Sequence, residues 1–132
     1  MRTYSILEYP IKVKEYFDFL TSEYGYDLVK EERRTFSYLN IYEKANIRIY
    51  LNYDIRDNFY YFSLIRGKET RYPNDHDKEN IKPFFHLFQK YEPDIVLKRL
   101  QPDDNQYLEA LELNAQLLKK YGDRVLKEEE WI

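Results

Sequence analysis

The chain has 132 residues, 43% of them hydrophobic and 34% charged, with a net charge of -3 and a mean hydropathy of -0.81. That length suits one domain over residues 1–132, and an aromatic content of 18% argues against disorder. The mild acidity argues against a nucleic-acid binder, whose affinity rests on clustered Lys and Arg. The absence of cysteine excludes disulfides, thiol nucleophiles and Cys-ligated metal centres.

The opening "MRTYSILEYPIKVKEY" has neither the apolar stretch nor the cleavage site of a signal peptide. No apolar run approaches the roughly 18 residues of a transmembrane helix. The expectation is a cytoplasmic protein that does not enter a membrane. The first predicted helix begins at Pro10, a residue suited to a first helical position. Val13, Phe17 and Leu20, with Tyr16 and Tyr24, recur at three- and four-residue steps, which marks an amphipathic helix. Gly25 is placed to end it in a left-handed cap.

From residue 26 to residue 66 the period changes to two, which predicts strands over 26–31, 35–42, 46–53 and 58–66. Short polar connections between consecutive strands imply an antiparallel meander, and no proline interrupts the stretch. "GKETRYPNDHDKEN" reads as a loop. A helix should start near Asn80, with Pro83 in its first turn and Phe84, Leu87, Phe88 and Tyr91 as its apolar stripe. Pro93 and Pro102 bracket a piece long enough for a short helix. Asp103 or Asp104 caps the last helix, whose face carries Tyr107, Leu111, Ala115, Leu118 and Val125, with Leu108 and Tyr121 beside it. Lys119 and Lys120 suit its C-terminal dipole, and Trp131 closes a charged tail. The fold class is α+β: a four-stranded antiparallel meander sheet with one N-terminal helix and two or three C-terminal helices.

The central hairpin carries aromatic rings at odd and even positions alike. Ile47, Ile49 and Leu51 must face the helices, since burying each is worth about 1.5–3 kcal/mol. They pair with Leu64, Phe62 and Tyr60, which leaves Phe59, Tyr61 and Ser63 on the outer face. For the strand over 35–42, a three-residue connection sends Leu39 and Ile41 inward and Phe36, Tyr38, Asn40 and Tyr42 outward. A two-residue turn reverses this. The first alternative is preferred because it places the aliphatic residues inside. The outer face then presents Phe36, Tyr38, Tyr42, Arg48, Tyr50, Asn52, Phe59 and Tyr61, of which Tyr and Arg are types enriched at binding hot spots. A large face of this kind rarely stays bare. Its cover could be the protein's own helix, a second copy in a homodimer, a different protein, or a nucleic acid or small ligand, with the low basic charge disfavouring nucleic acid.

No catalytic motif stands out. His76 in "NDHDKEN" reads as a solvated loop residue rather than a metal ligand, and His86 among Phe84, Phe85, Leu87 and Phe88 as an edge-of-core residue. Asp54 and Asp57 flank a turn and suit its chemistry. The serines lie in no nucleophile elbow, and three glycines are too few for a phosphate-binding loop. The sequence calls for no cofactor, no metal and no catalytic residue. An enzyme or small-ligand binder with a pocket at the helix–sheet edge stands as the alternative.

Two stretches, "FDFLTSEYGYDLV" and "LELNAQLLKKYGDRVLKEEEW", together give the chain a family likeness. It resembles small uncharacterised bacterial α+β proteins and the immunity proteins of polymorphic-toxin systems. The resemblance implies a cytoplasmic, non-enzymatic protein that binds and blocks a cognate toxin. Its pattern has Gly after "VLK", where this sequence has Glu128.

Overall fold

A computed structural model describes residues 3–103 and 107–132. The architecture is α+β, with an open antiparallel sheet and helices against one of its faces. Helix α1 (Thr3–Tyr16) holds Pro10 in its interior, not at its start as the sequence suggested. Tyr9, Val13 and Phe17, four residues apart, are all buried in the core, and this anchoring offsets the hydrogen bond that the proline ring forgoes. The helix breaks after Tyr16 and resumes as the single turn α2 (Phe19–Ser22). Gly25 then reverses the chain at φ +76°, a left-handed conformation that glycine adopts without Cβ strain.

The sheet has five strands in the order β1 (Asp27–Arg33), β2 (Ser37–Lys44), β3 (Ile47–Asp54), β4 (Phe59–Arg66) and β5 (Ile81–Pro83). The expected meander of four is therefore correct in direction and one strand short. The fifth arises where the sequence suggested the start of a helix. Pro83 disfavours the helical region for Lys82, so the chain stays extended and pairs Ile81–Pro83 with Ser63–Ile65. An edge strand tolerates such a proline, which then stands at the N-cap of α3 (Phe84–Tyr91).

The faces of β3 and β4 are the anticipated ones, but the register is shifted by two residues: Ile49 lies opposite Leu64, Leu51 opposite Phe62 and Tyr53 opposite Tyr60, because Asp54 pairs with Phe59 and the turn spans 55–58. The β2–β3 register is the opposite of the preferred reading. Lys44 pairs with Ile47 across a two-residue turn at Ala45 and Asn46, with Ala45 at φ +47°. Tyr38, Asn40 and Tyr42 consequently share the inner face with Tyr53, Leu51 and Ile49, while Leu39 and Ile41 point outward. The aliphatic residues that argued for the other register are buried all the same, at 6% and 8% exposure, but outside the main core.

The segment between Pro93 and Pro102 contains only a 3-10 turn, Leu97–Leu100. Helix α4 (Tyr107–Tyr121) buries Tyr107, Leu111, Ala115 and Leu118 as their spacing implied, together with Asn114, which the spacing did not single out. Asp104, one of the two expected caps, lies outside the described residues. The chain ends with the short helix α5 (Asp123–Leu126), after which Glu128 stands at φ +60°. That is the backbone conformation for which glycine is the usual choice. Trp131 docks: its Nε1 donates to the Glu79 carbonyl at 2.6 Å, with the Arg66 guanidinium 5.0 Å above its ring.

Tyrosine hydroxyls tie these layers together. Tyr24 donates to Asp123 at 2.6 Å, Tyr107 to Glu8 at 2.7 Å, and Tyr121 to Glu92 at 2.7 Å. Tyr26 donates to the Leu126 carbonyl and Tyr60 to the Tyr107 carbonyl, both at 2.9 Å. A tyrosine thus buries a ring and delivers a polar tip to another element.

Candidate functional site

Alternation along three antiparallel strands builds the outer face in rows. One row carries Leu39, Asn52 and Tyr61; the next carries Ile41, Tyr50 and Ser63; Arg48 lies beside Ile65; Phe59 stands beside Asp54 at the far end. Arg48, Tyr50, Asn52, Phe59 and Tyr61 therefore belong to this side, whereas Phe36 precedes β2 and shares the parity of Tyr38. Tyr38 and Tyr42 do not belong to it, because the two-residue turn reverses their strand. The Tyr38 ring stands edge-on to that of Tyr9, 5.9 Å between centroids. Tyr42 is 3% exposed, and burial pushes its hydroxyl up to about 12.

The segment from Gly67 to Asn80 folds over half of this face. The Arg48 guanidinium donates to the Gly67 carbonyl at 3.0 Å and to the Thr70 carbonyl. Tyr72 lays its ring on Tyr50, 4.6 Å between centroids. At the far end of the segment Asp77 accepts from the Asn80 backbone N–H at 2.9 Å. This bond leads the causes that hold its carboxyl below the ordinary range. The cover that the sequence left undecided is thus, on this half, a loop of the chain itself. His76 lies exposed within it, and among the described residues no three metal-ligating side chains gather.

The other half lies outside that loop: Tyr61 is 44% exposed there, whereas Leu39 is buried, and Phe36, just before β2, is 51% exposed. The Phe59 ring packs on Tyr61 at 4.7 Å, and the Arg56 guanidinium lies 4.8 Å from the Phe36 ring, a cation–π distance. Asn52 sits between Leu39 and Tyr61, its Oδ1 enclosed and without a partner among the described residues.

Around the margin of β4 this surface runs into a cleft of about 550 Å3. Its position follows from how the edge is occupied. β5 covers β4 only at Ser63–Ile65. Further along, the Gln101 side chain takes the place of a strand: its Oε1 accepts from the Tyr60 N–H at 2.6 Å and its Nε2 donates to the Tyr60 carbonyl at 3.2 Å. Between these two covers the cleft opens at Phe62, walled by Tyr61, Phe84, Phe85 and Leu97. Asn114 closes its depth, held by donation from Nδ2 to the Leu100 and Ala110 carbonyls at 2.9 Å each. His86 is exposed at this site rather than at the core edge, since it turns away from the apolar stripe of α3.

The remaining perturbed groups serve the scaffold. Burial raises the hydroxyls of Tyr9, Tyr26 and Tyr60, which keeps them protonated inside the core. Gln101, Asn114 and Tyr72 carried no signal in the sequence, because their roles depend on partners far along the chain. In comparisons with known proteins, no family model, no curated protein and no solved structure matches this chain.

Proposed function

We propose that the chain is a non-enzymatic protein-binding module whose partner is another protein, of the toxin class that the immunity-protein resemblance implies. The observation that supports this reading is the division of the outer sheet face. A loop packs on Arg48 and Tyr50, while Phe59 and Tyr61 lie outside that cover with their rings in contact, and Phe36 stands exposed just before β2. Paired rings with an arginine and an amide between polar margins have the composition of a hot-spot cluster. The proposed contact is this part outside the loop, smaller than the face expected from the sequence.

The test is co-expression with a secreted toxin encoded beside the chain's own gene, read as growth protection. Phe36→Ala combined with Tyr61→Ala should abolish protection while circular dichroism and melting stay unchanged. Undiminished protection would move the contact away from this face. Failure of the unaltered chain to protect would remove the toxin-neutralising part of the reading. A stable dimer in light scattering would instead favour self-association through the same residues.

A further inference from the structure

We propose that the cleft at the free edge of β4 binds a neutral, flat aromatic molecule carrying one hydrogen-bonding substituent. Its volume of about 550 Å3 lies within the range of small-molecule sites. Rings supply most of the nearest walls, among them Tyr61, Phe62, Phe84 and Phe85, and rings favour offset or edge-on contact with another ring.

The polar handle is the pair Ser63 and Tyr72, both of which line the cleft. Ser63 is 5% exposed, yet its Oγ lies 3.5 Å from the Tyr72 hydroxyl, well beyond the roughly 2.7–2.8 Å of a good O–H···O bond. Each hydroxyl has one proton and two lone pairs to place, so both retain capacity for a third group. The amides at the cleft are engaged in larger part: Gln101 spends its oxygen and nitrogen on Tyr60, Asn114 its nitrogen on two carbonyls, and Asn74 its oxygen on the His76 N–H. Charge sets the class. No Lys or Arg lines the cleft among the described residues, whereas Asp75 does, and its one imidazole, His86, is exposed to water, so an anion would lose its hydration without gaining a lysine or arginine counter-charge. Leu97 and Tyr61, 42% and 44% exposed, leave an entrance.

The test is titration of the isotope-labelled protein with naphthol, and with naphthoate as its charged counterpart, followed by amide chemical shifts. Naphthol should give saturable shifts at Phe62, Ser63 and Phe84, and naphthoate should bind at least about tenfold more weakly. Ser63→Ala with Tyr72→Phe should weaken naphthol about three- to tenfold. Leu97→Trp, which fills the entrance without touching the outer face, should abolish saturation while shifts elsewhere persist. Equal binding of naphthoate, an unchanged affinity in the hydroxyl-deleted variant, or full binding by Leu97→Trp would each overturn the proposal. Where the double variant perturbs the spectrum, Ser63→Ala alone carries the same expectation in smaller measure.

Discussion

The hydroxyl of Tyr24 donates to the Asp123 carboxylate at 2.6 Å, joining the chain just before β1 to the first residue of α5. This bond is the first cause of the depressed Asp123 carboxyl, ahead of Lys127. A carboxyl with a lowered folded value contributes stability above its ordinary value of 3.8, and that contribution is lost as pH falls through the lower folded value. Tyr24 titrates on the other side. Burial first, and then the same bond, push it from 10.0 up to about 12. Its contribution is fully present below 10.0 and lost as pH rises through about 12. Tyr24→Phe should therefore flatten the acid limb of a stability–pH curve, measured by urea denaturation below and above the ordinary carboxyl value. An unchanged acid limb would show that Lys127 alone holds the carboxylate.

Asn40 offers a second measurement. Its side chain is fully buried, and neither amide atom has a hydrogen-bond partner among the described residues. A buried unpaired polar group costs about 1–3 kcal/mol. Asn40→Leu, close in volume, should raise unfolding free energy by about that amount in chemical denaturation. A loss of stability would mean that the amide has a partner, such as an enclosed water bridging to the Tyr9 hydroxyl, also buried and without a partner among the described residues.

The orientation of β2 is open to direct test. Tyr42→Ala should cost about 3–5 kcal/mol, as for a large core ring. Phe36→Ala, at a half-exposed ring just before β2, should stay within about 0.5 kcal/mol. Comparable small losses at both positions in thermal denaturation would restore the register that places Tyr42 outside.

Arg48 fastens the loop over the outer face, since its guanidinium reaches carbonyls at both Gly67 and Thr70. Arg48→Ala should speed amide hydrogen exchange between Gly67 and Tyr72 by about tenfold or more, given that hydrogen bonds to charged groups contribute about 1.5–3 kcal/mol. Exchange in β3 and β4 should hardly change. Equal protection in the variant would show that the Tyr50–Tyr72 ring contact suffices.

The sequence carried the facing of β3 and β4, because Ile47, Ile49 and Leu51 alternate cleanly, but not their register, since a shift of two residues leaves every side chain on the same face. It carried β2 only as a strand. Leu39 and Ile41 imitate a core stripe, yet they are buried on the outer side among neighbouring strands. The parity of that strand hangs on whether its turn holds two residues or three, and Ala45 in a left-handed conformation gives no local sign of the shorter turn. The fifth strand hid behind the helical stripe that follows it, although Pro83 already disfavoured a helix at Lys82. Arg48, Tyr50, Asn52, Phe59 and Tyr61 lie on the outer face as read because the faces of β3 and β4 were placed correctly. A pocket at the helix–sheet edge stood only as an alternative and without its lining, since residues 59–63, 72–75 and 84–86 meet Leu97, Leu100, Gln101 and Asn114 only in space.

The amide that Gln101 lays against Tyr60 also bears on what this protein does at high concentration. An unpaired β-strand margin recruits strands from other chains, and here the margin of β4 is blocked by one side chain and a three-residue strand ending in proline. The opposite margin, β1, is broken by a bulge between Leu28 and Lys30 and lined by Lys30, Glu31, Glu32 and Arg33. Both flanks are thus poor templates for fibril growth. A chain that displays unclothed phenyl and phenol rings can accumulate in its host without seeding its own polymerisation.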